Sequence, residues 1–225
     1  MALSICTWMW GDKYSPEYVN RLHRGLRRNL TRPFRFLLMT ESSRDIALPF
    51  LIERYPIPDP DLCTKDCFAR LRMFDPAWQK SLNLVGPIVC IDLDVVITGN
   101  CDQLFDRQEP LVVLQGANAA NPCPYNCSVF MLWPGTNPEV WSEFSLEAAQ
   151  GIPHYGFPDD QGWLHALVPG AAAWRVGPSS GIYAYRKPQW PPSDRLPADA
   201  RIVAFPGRRD PSHFQHLGWV KEHWV

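Results

Sequence analysis

The stretch Pro87–Phe105, PIVCIDLDVVITGNCDQLF, limits the fold more than any other part of the chain. Ile88-Val89-Cys90-Ile91 and Val95-Val96-Ile97 are apolar runs of the kind buried on both faces of a mostly parallel sheet. Between them stand Asp92 and Asp94. In one continuous strand residues i and i+2 share a face, so the two carboxylates would project together with Leu93 opposite. Side by side in a low dielectric they repel, and a divalent cation removes that conflict. Oxygen-only ligands suit Mn²⁺ or Mg²⁺, which complete their shells with phosphate oxygens. The competing picture ends the strand at Ile91 and leaves the aspartates solvated in a turn; the apolar run beyond them argues against it.

The remaining elements alternate as in an α/β chain. Leu3–Trp10 predicts a strand. Ser15 as N-cap and Pro16 at the first helical position open a helix, in which Val19, Leu22, Leu26 and Leu30 recur at helical spacing. Arg21, Arg24 and Arg28 occupy another face, read as solvated, with peripheral membrane contact as the alternative. Phe34–Thr40 predicts a second buried strand, and Cys63–Phe74 a helix turning Phe68, Leu71 and Phe74 inward. After the aspartate-bearing strand come strands at Leu111–Leu114 and Ser128–Trp133. A helix is expected over Asn137–Gln150, with Asn137 as cap and Pro138 at its first position. Asp159–Leu167 predicts a short helix and Arg201–Phe205 a last strand. No repeat or linker interrupts this order, so one domain over 1–225 is expected, with a nucleotide-binding half (1–105) and a more irregular half (106–225).

Composition removes some function classes. With 46% hydrophobic and 20% charged residues, the 225-residue chain is ordinary for a globular protein. A net charge of −1 gives no pull toward nucleic acid. No run of about 18 apolar residues marks a membrane span, and the first residues lack the basic and small-residue signals of a secretory leader. Seven cysteines, an odd number, favour a reducing, cytoplasmic setting. The pairs Cys63/Cys67 and Cys123/Cys127 match zinc spacing loosely and read first as plain thiols.

An apolar strand ending in Asp-x-Asp, with the Asp-x-x-Phe segment CDQLF shortly after it, resembles the metal-binding core of GT-A fold glycosyltransferases, the family 8-like branch above all. The resemblance spans most of the chain and implies a GT-A-type α/β fold with a mostly parallel central sheet flanked by helices. It also implies transfer of a sugar from a nucleotide-diphosphate donor, of UDP-sugar type, to a saccharide, lipid or protein acceptor. The segment SICTWMWGDKYS is similar to that fold's nucleotide-binding opening and assigns Trp8, Gly11 and Tyr14 to the base; by chemistry alone Trp8 or Tyr14 either stacks there or fills core. Arg70 in FARLRMF matches the arginine upstream of the Asp-x-Asp strand. YNCSVFMLWPG resembles the Asn-x-Gly-x-Met segment facing the donor sugar and assigns Asn126 and Ser128, beside Asp92 and Leu93. PDDQGWLHAL resembles the Asp-Gln-Asp helix start, which makes Asp160, Gln161 and Asp159 the catalytic candidates; the first-turn acids equally suit N-capping.

VAFPGRRDPSHF resembles the loop that closes over the diphosphate and assigns Gly207, Arg208 and Arg209. Two departures stand out. Gly162 replaces the second aspartate of Asp-Gln-Asp, and Ala204 stands where the loop's metal-binding histidine belongs. His213, ahead of Asp210 in its turn-forming Asp-Pro, is the substitute ligand this reading leans to beside Asp92 and Asp94; the alternative is a surface His213 with water in that position. Two rivals share parts of the pattern. A haloacid-dehalogenase-like phosphatase would use Asp92 as nucleophile and Asp94 as acid/base, but needs a lysine that does not occur between Val95 and Asp160. A non-catalytic nucleotide-sugar-binding protein of the same fold is the other.

Overall fold

The computed structural model describes residues 2–41, 49–58, 67–117, 123–152 and 159–225. Strand β1 (Leu3–Met9) is buried along its whole length. It feeds helix α1 (Pro16–Asn29), where Ser15 holds the N-cap position and Pro16 the first turn. Val19, Leu22 and Leu26 of α1 pack on Leu3, Ile5 and Phe36. Strands β2 (Phe34–Thr40) and β3 (Ile52–Pro56) extend the sheet in parallel from β1. A 3₁₀ helix (Phe68–Phe74) and helix α2 (Pro76–Ser81) then cover the opposite face, burying Phe68, Leu71, Phe74 and Trp78 against Cys6, Leu37 and Cys90. The segment Cys63–Asp66, expected as helix, lies outside the described residues, so Cys63 does too. The rest of that expected helix is 3₁₀, entered through Cys67 at φ +65°.

Strand β4 (Ile88–Ile91) joins β1 in parallel, and there the expected continuous strand breaks. Asp92-Leu93-Asp94 make a turn, and β5 (Val95–Ile97) leaves the main sheet altogether. The apolar run after the aspartates is therefore a strand, but of a second sheet. Nor are the turn residues solvated: Leu93 and Asp94 are buried and Asp92 is half-buried. Strands β6 (Leu111–Gln115) and β7 (Tyr125–Leu132) come next. The helix expected over Asn137–Gln150 is two short ones, α3 (Glu139–Ser142) and α4 (Leu146–Gly151). Ser145 is the reason: its hydroxyl accepts from the Ala148 amide at 3.0 Å and starts a second helix. Pro138 sits at the cap position and Asn137 at φ +49°.

Helix α5 (Asp160–Leu167) starts where Asp159 caps it. Strand β8 (Ala172–Arg175) closes the seven-stranded sheet, whose order is β3-β2-β1-β4-β7-β6-β8. Every neighbour pair is parallel except those made by β7. The second sheet places β10 (Ile202–Ala204) between β5 and β9 (Ile182–Ala184). An aromatic cluster of Tyr185, Trp190, Phe205 and Trp219 covers it, with α6 (Gly218–His223) outside. Strands β3, β8 and β9 and helices α2 and α6 had no counterpart among the elements expected from sequence. Among the described residues no helix is long and apolar enough to cross a membrane.

Gly181, at φ +72°, precedes β9, and a Cβ there would sit 2.7 Å from the Asp199 carbonyl oxygen. Gly181→Ala is expected to cost about 2 kcal/mol or more, left-handed strain plus a backbone clash. Urea unfolding of the two proteins checks it.

Candidate active site

The site forms at the carboxyl ends of β1 and β4, the edge where ligands of open α/β sheets bind. Because β4 ends at Ile91, Asp92 emerges at that edge, its amide held by the Ser128 carbonyl at 2.9 Å. Arg70 reaches the same point from the 3₁₀ helix and is itself buried. Its Nη1 donates to Asp92 Oδ1 and, at 3.1 Å, to the Cys127 carbonyl. Its Nη2 lies 2.6 Å from Asp160 Oδ2. One guanidinium thus joins the turn after β4 to the first residue of α5. Burial opposes the charge on Arg70, but Asp160 and Asp92 outweigh it and push its pKa above the usual arginine value.

The two aspartates of the motif live differently. Asp94 accepts from the Tyr14 hydroxyl at 2.7 Å, with Lys13 Nζ at 3.5 Å. Burial first, and then the charge of Asp92, push its carboxyl up to about 6, against the pull of Lys13 and Tyr14. Asp160 rises to about 7, again through burial, with Asp159 and Asp92 adding to it and Arg70 opposing. Asp159 takes the capping role: its Oδ1 accepts from the Gly162 amide at 2.8 Å and its Oδ2 from Gln161 Nε2 at 2.7 Å. The capping and catalytic candidates in this pair are therefore distinct residues.

Asp92 and Asp94 line a cleft of 280 Å³ together with Asn126, Ser128, Gln161 and Gly207. Asn126 Oδ1 accepts from the Ser128 amide at 3.1 Å, which fixes that corner. Arg70, Asp159 and Asp160 face an adjoining cleft of 290 Å³. Trp8, Tyr14 and Leu93 line a third, of 150 Å³, where Trp8 stacks on Trp78 with ring centres 6.1 Å apart. Arg208, Arg209 and His213 stand apart, in a 390 Å³ cleft with Tyr18 and Asp210. Gly11, at φ +56°, lines none of these clefts. Asp210 accepts from Tyr18 and from the Ser212 amide, at 2.7 and 2.8 Å. Among the described residues no three His, Cys, Asp or Glu side chains are assembled as a metal cage, so His213 is not preassembled with Asp92 and Asp94.

Sequence reasoning passed over Lys13, which lines the 280, 150 and 390 Å³ clefts and so connects the aspartates to the arginine loop. The only signal was its place in the loop after β1. Among the described residues neither Cys123 nor Cys127 forms a disulfide, both are buried, and the Cys123 thiol lies 3.6 Å from the Gln161 carbonyl oxygen.

The donor set fits a hard divalent cation. It offers carboxylate oxygens, and burial first, then the neighbouring charge of Asp92, disfavour the ionised form of Asp94 in spite of Lys13 and Tyr14. That shift has a consequence for stability. The folded-state value of Asp94 lies above the unfolded one, so its protonated form contributes stability that is complete below about pH 4 and lost as pH rises through 6. Asp94→Asn should therefore match wild type near pH 3.5 and exceed it at pH 7.5, by on the order of 2 kcal/mol or ~5 °C in Tm. Melting curves across that range, without divalent metal, check the sign. Arg70→Met should cost about 3–5 kcal/mol, because it strands two carboxylates. Arg70→Lys should recover little, since one ammonium cannot reproduce the two-pronged grip; urea titration measures both.

The sequence matches no protein-family profile and no curated protein. Solved structures do resemble the fold. An active-site mutant of LgtC superposes with a TM-score of 0.66 at 13% identity, covering 97% of this chain and 93% of that one. The galactosyltransferase LgtC in complex with donor and acceptor sugar analogues gives 0.62 at 11% identity, covering 99% and 96%. The fold is thus the α/β GT-A type of these structures, a mostly parallel central sheet flanked by helices.

Proposed function

We propose that this chain is a glycosyltransferase that takes a sugar from a nucleotide-diphosphate donor, of UDP-sugar type, and passes it to a hydroxyl acceptor with the help of a divalent metal. One observation carries the reading: within a GT-A fold, Arg70 ties the Asp-x-Asp turn to Asp160 at the carboxyl edge of the sheet. In this reading the metal-binding turn and the carboxyl of Asp160 would act side by side on the donor. Asp92 and Asp94 would hold Mn²⁺ or Mg²⁺, which when bound supplies positive charge to the departing diphosphate.

The chain's own groups do the rest. Lys13, Arg208 and Arg209 bring fixed positive charge to the phosphate side. Trp8 and Tyr14, which line the 150 Å³ cleft, would receive the base; Gly11 lines no cleft and would act only through the shape of the loop after β1. Asn126, Ser128 and Gln161 offer amides and a hydroxyl to the donor sugar. Asp160, ion-paired with Arg70 and with its proton affinity raised by burial, would be the carboxylate that positions or accepts a proton near the reacting carbon. Asp159 positions Gln161. Water or His213 would complete the metal shell. A haloacid-dehalogenase-like phosphatase would need a lysine that does not occur between Val95 and Asp160.

The test is incubation with a panel of UDP-, GDP- and CDP-sugars and Mn²⁺. The expected result is slow, metal-dependent donor hydrolysis, lost by about 100-fold or more in Asp94→Asn and lowered in kcat more than in KM by Asp160→Asn. Phosphate release from p-nitrophenyl phosphate without sugar-nucleotide turnover, or wild-type turnover in Asp94→Asn, would overturn the reading.

A further inference from the structure

Strand β8 is the edge of the main sheet, and its Trp174 and Arg175 form one wall of a cavity of 470 Å³. This cavity shares no lining residue with the clefts around Asp92 and Asp94. Its other walls are the stretch from Gln103 to Arg107 and the turns that carry Ser179, Ser180, Asp199 and Arg201.

These walls are tied together before any ligand arrives. Ser180 Oγ donates to the Arg175 carbonyl at 2.7 Å and accepts from the Ile182 amide at 3.0 Å. The Arg201 amide donates to the Gly181 carbonyl at 2.8 Å. Only glycine fits at position 181, against the Asp199 carbonyl, and that close approach brings the two turns into contact.

The charge in this cavity is unlike that of the chain as a whole, which is −1. Three arginines, Arg107, Arg175 and Arg201, line it together with a single carboxylate residue, Asp199. Asp199 already accepts from the Tyr183 hydroxyl at 2.9 Å, and Arg107 is held by Glu109. Among the described residues neither Arg175 nor Arg201 has a carboxylate partner; Arg201 reaches only Gln103 Oε1, at 3.4 Å. The buried indole N–H of Trp174 also has no partner among them. Guanidinium forks match carboxylate and phosphate oxygens. The volume exceeds that of a lone phosphate ion and falls within the range of small-molecule sites, roughly 300–1,000 Å³.

We propose that this cavity is a second ligand site, for a sugar-like molecule bearing a phosphate or carboxylate. Arg175 and Arg201 take the anion, and Ser179, Ser180 and Gln103 take the hydroxyl groups. The proposal does not depend on the transferase reading.

Isothermal titration of the full chain with glucose 6-phosphate, without divalent metal, tests it. Wild type is expected to bind, and Arg175→Glu and Arg201→Gln should each weaken binding by about tenfold or more. Arg208→Gln, on the far cleft, should leave it within about twofold. Inorganic phosphate should bind at least about tenfold more weakly, and neutral glucose not measurably. Arg175 is exposed, so its substitution keeps the fold even if that of Arg201 does not. The proposal is overturned by absence of binding at about 10 mM, by unchanged binding in Arg175→Glu, by its loss in Arg208→Gln, or by equal affinity for inorganic phosphate.

Discussion

A charged guanidinium in the interior survives only with partners, and Arg70 has two of them on segments far apart in sequence. Asp92 belongs to the turn after β4, Asp160 to the start of α5, and Arg70 to the 3₁₀ helix that covers the sheet. Removing Arg70 leaves both carboxylates without their cation, the buried Asp160 among them, which costs several kcal/mol. The three segments therefore hold each other in register. The same contact that fixes the fold also sets the spacing between the carboxylates and the clefts around them.

The turn at Asp92-Leu93-Asp94 is the second constraint. It lets one sequence run serve two sheets, since β4 ends in the main sheet and β5 begins the smaller one. Leu93 is buried within the turn and anchors it, while Asp92 and Asp94 face the clefts. The cost is electrostatic: Asp94 is buried beside a like charge and holds its proton too tightly. Local destabilisation of this kind, kept in an otherwise well-packed molecule, is typical of a site built to receive something.

Much of this was legible from residues. The apolar runs around the aspartates mark a buried edge, and Ser15-Pro16 with its helical repeat yields α1 at its observed start. The break after Ile91 was not legible, because Val95-Val96-Ile97 is equally apolar whether it continues one strand or begins another. Ser145 looked like an ordinary helix residue until its cap geometry split the helix in two. The short strands β8 and β9 have too few residues for an alternation to register. In the site, Arg70 entered through family likeness alone, since no local pattern tells which carboxylates an arginine will meet 22 and 90 positions away. Lys13 escaped notice because a lysine in a loop is most often just solvated.

The account's central claim is that Asp92 and Asp94 bind a divalent cation together with a nucleotide diphosphate. Anomalous diffraction from crystals grown with UDP and Mn²⁺ addresses it most directly. The account predicts one manganese peak at coordination distance, about 2.1–2.2 Å, from oxygens of both aspartates and of the diphosphate. A peak elsewhere, or UDP bound in this cleft with both carboxylates still turned only to Arg70, Lys13 and Tyr14, would contradict it.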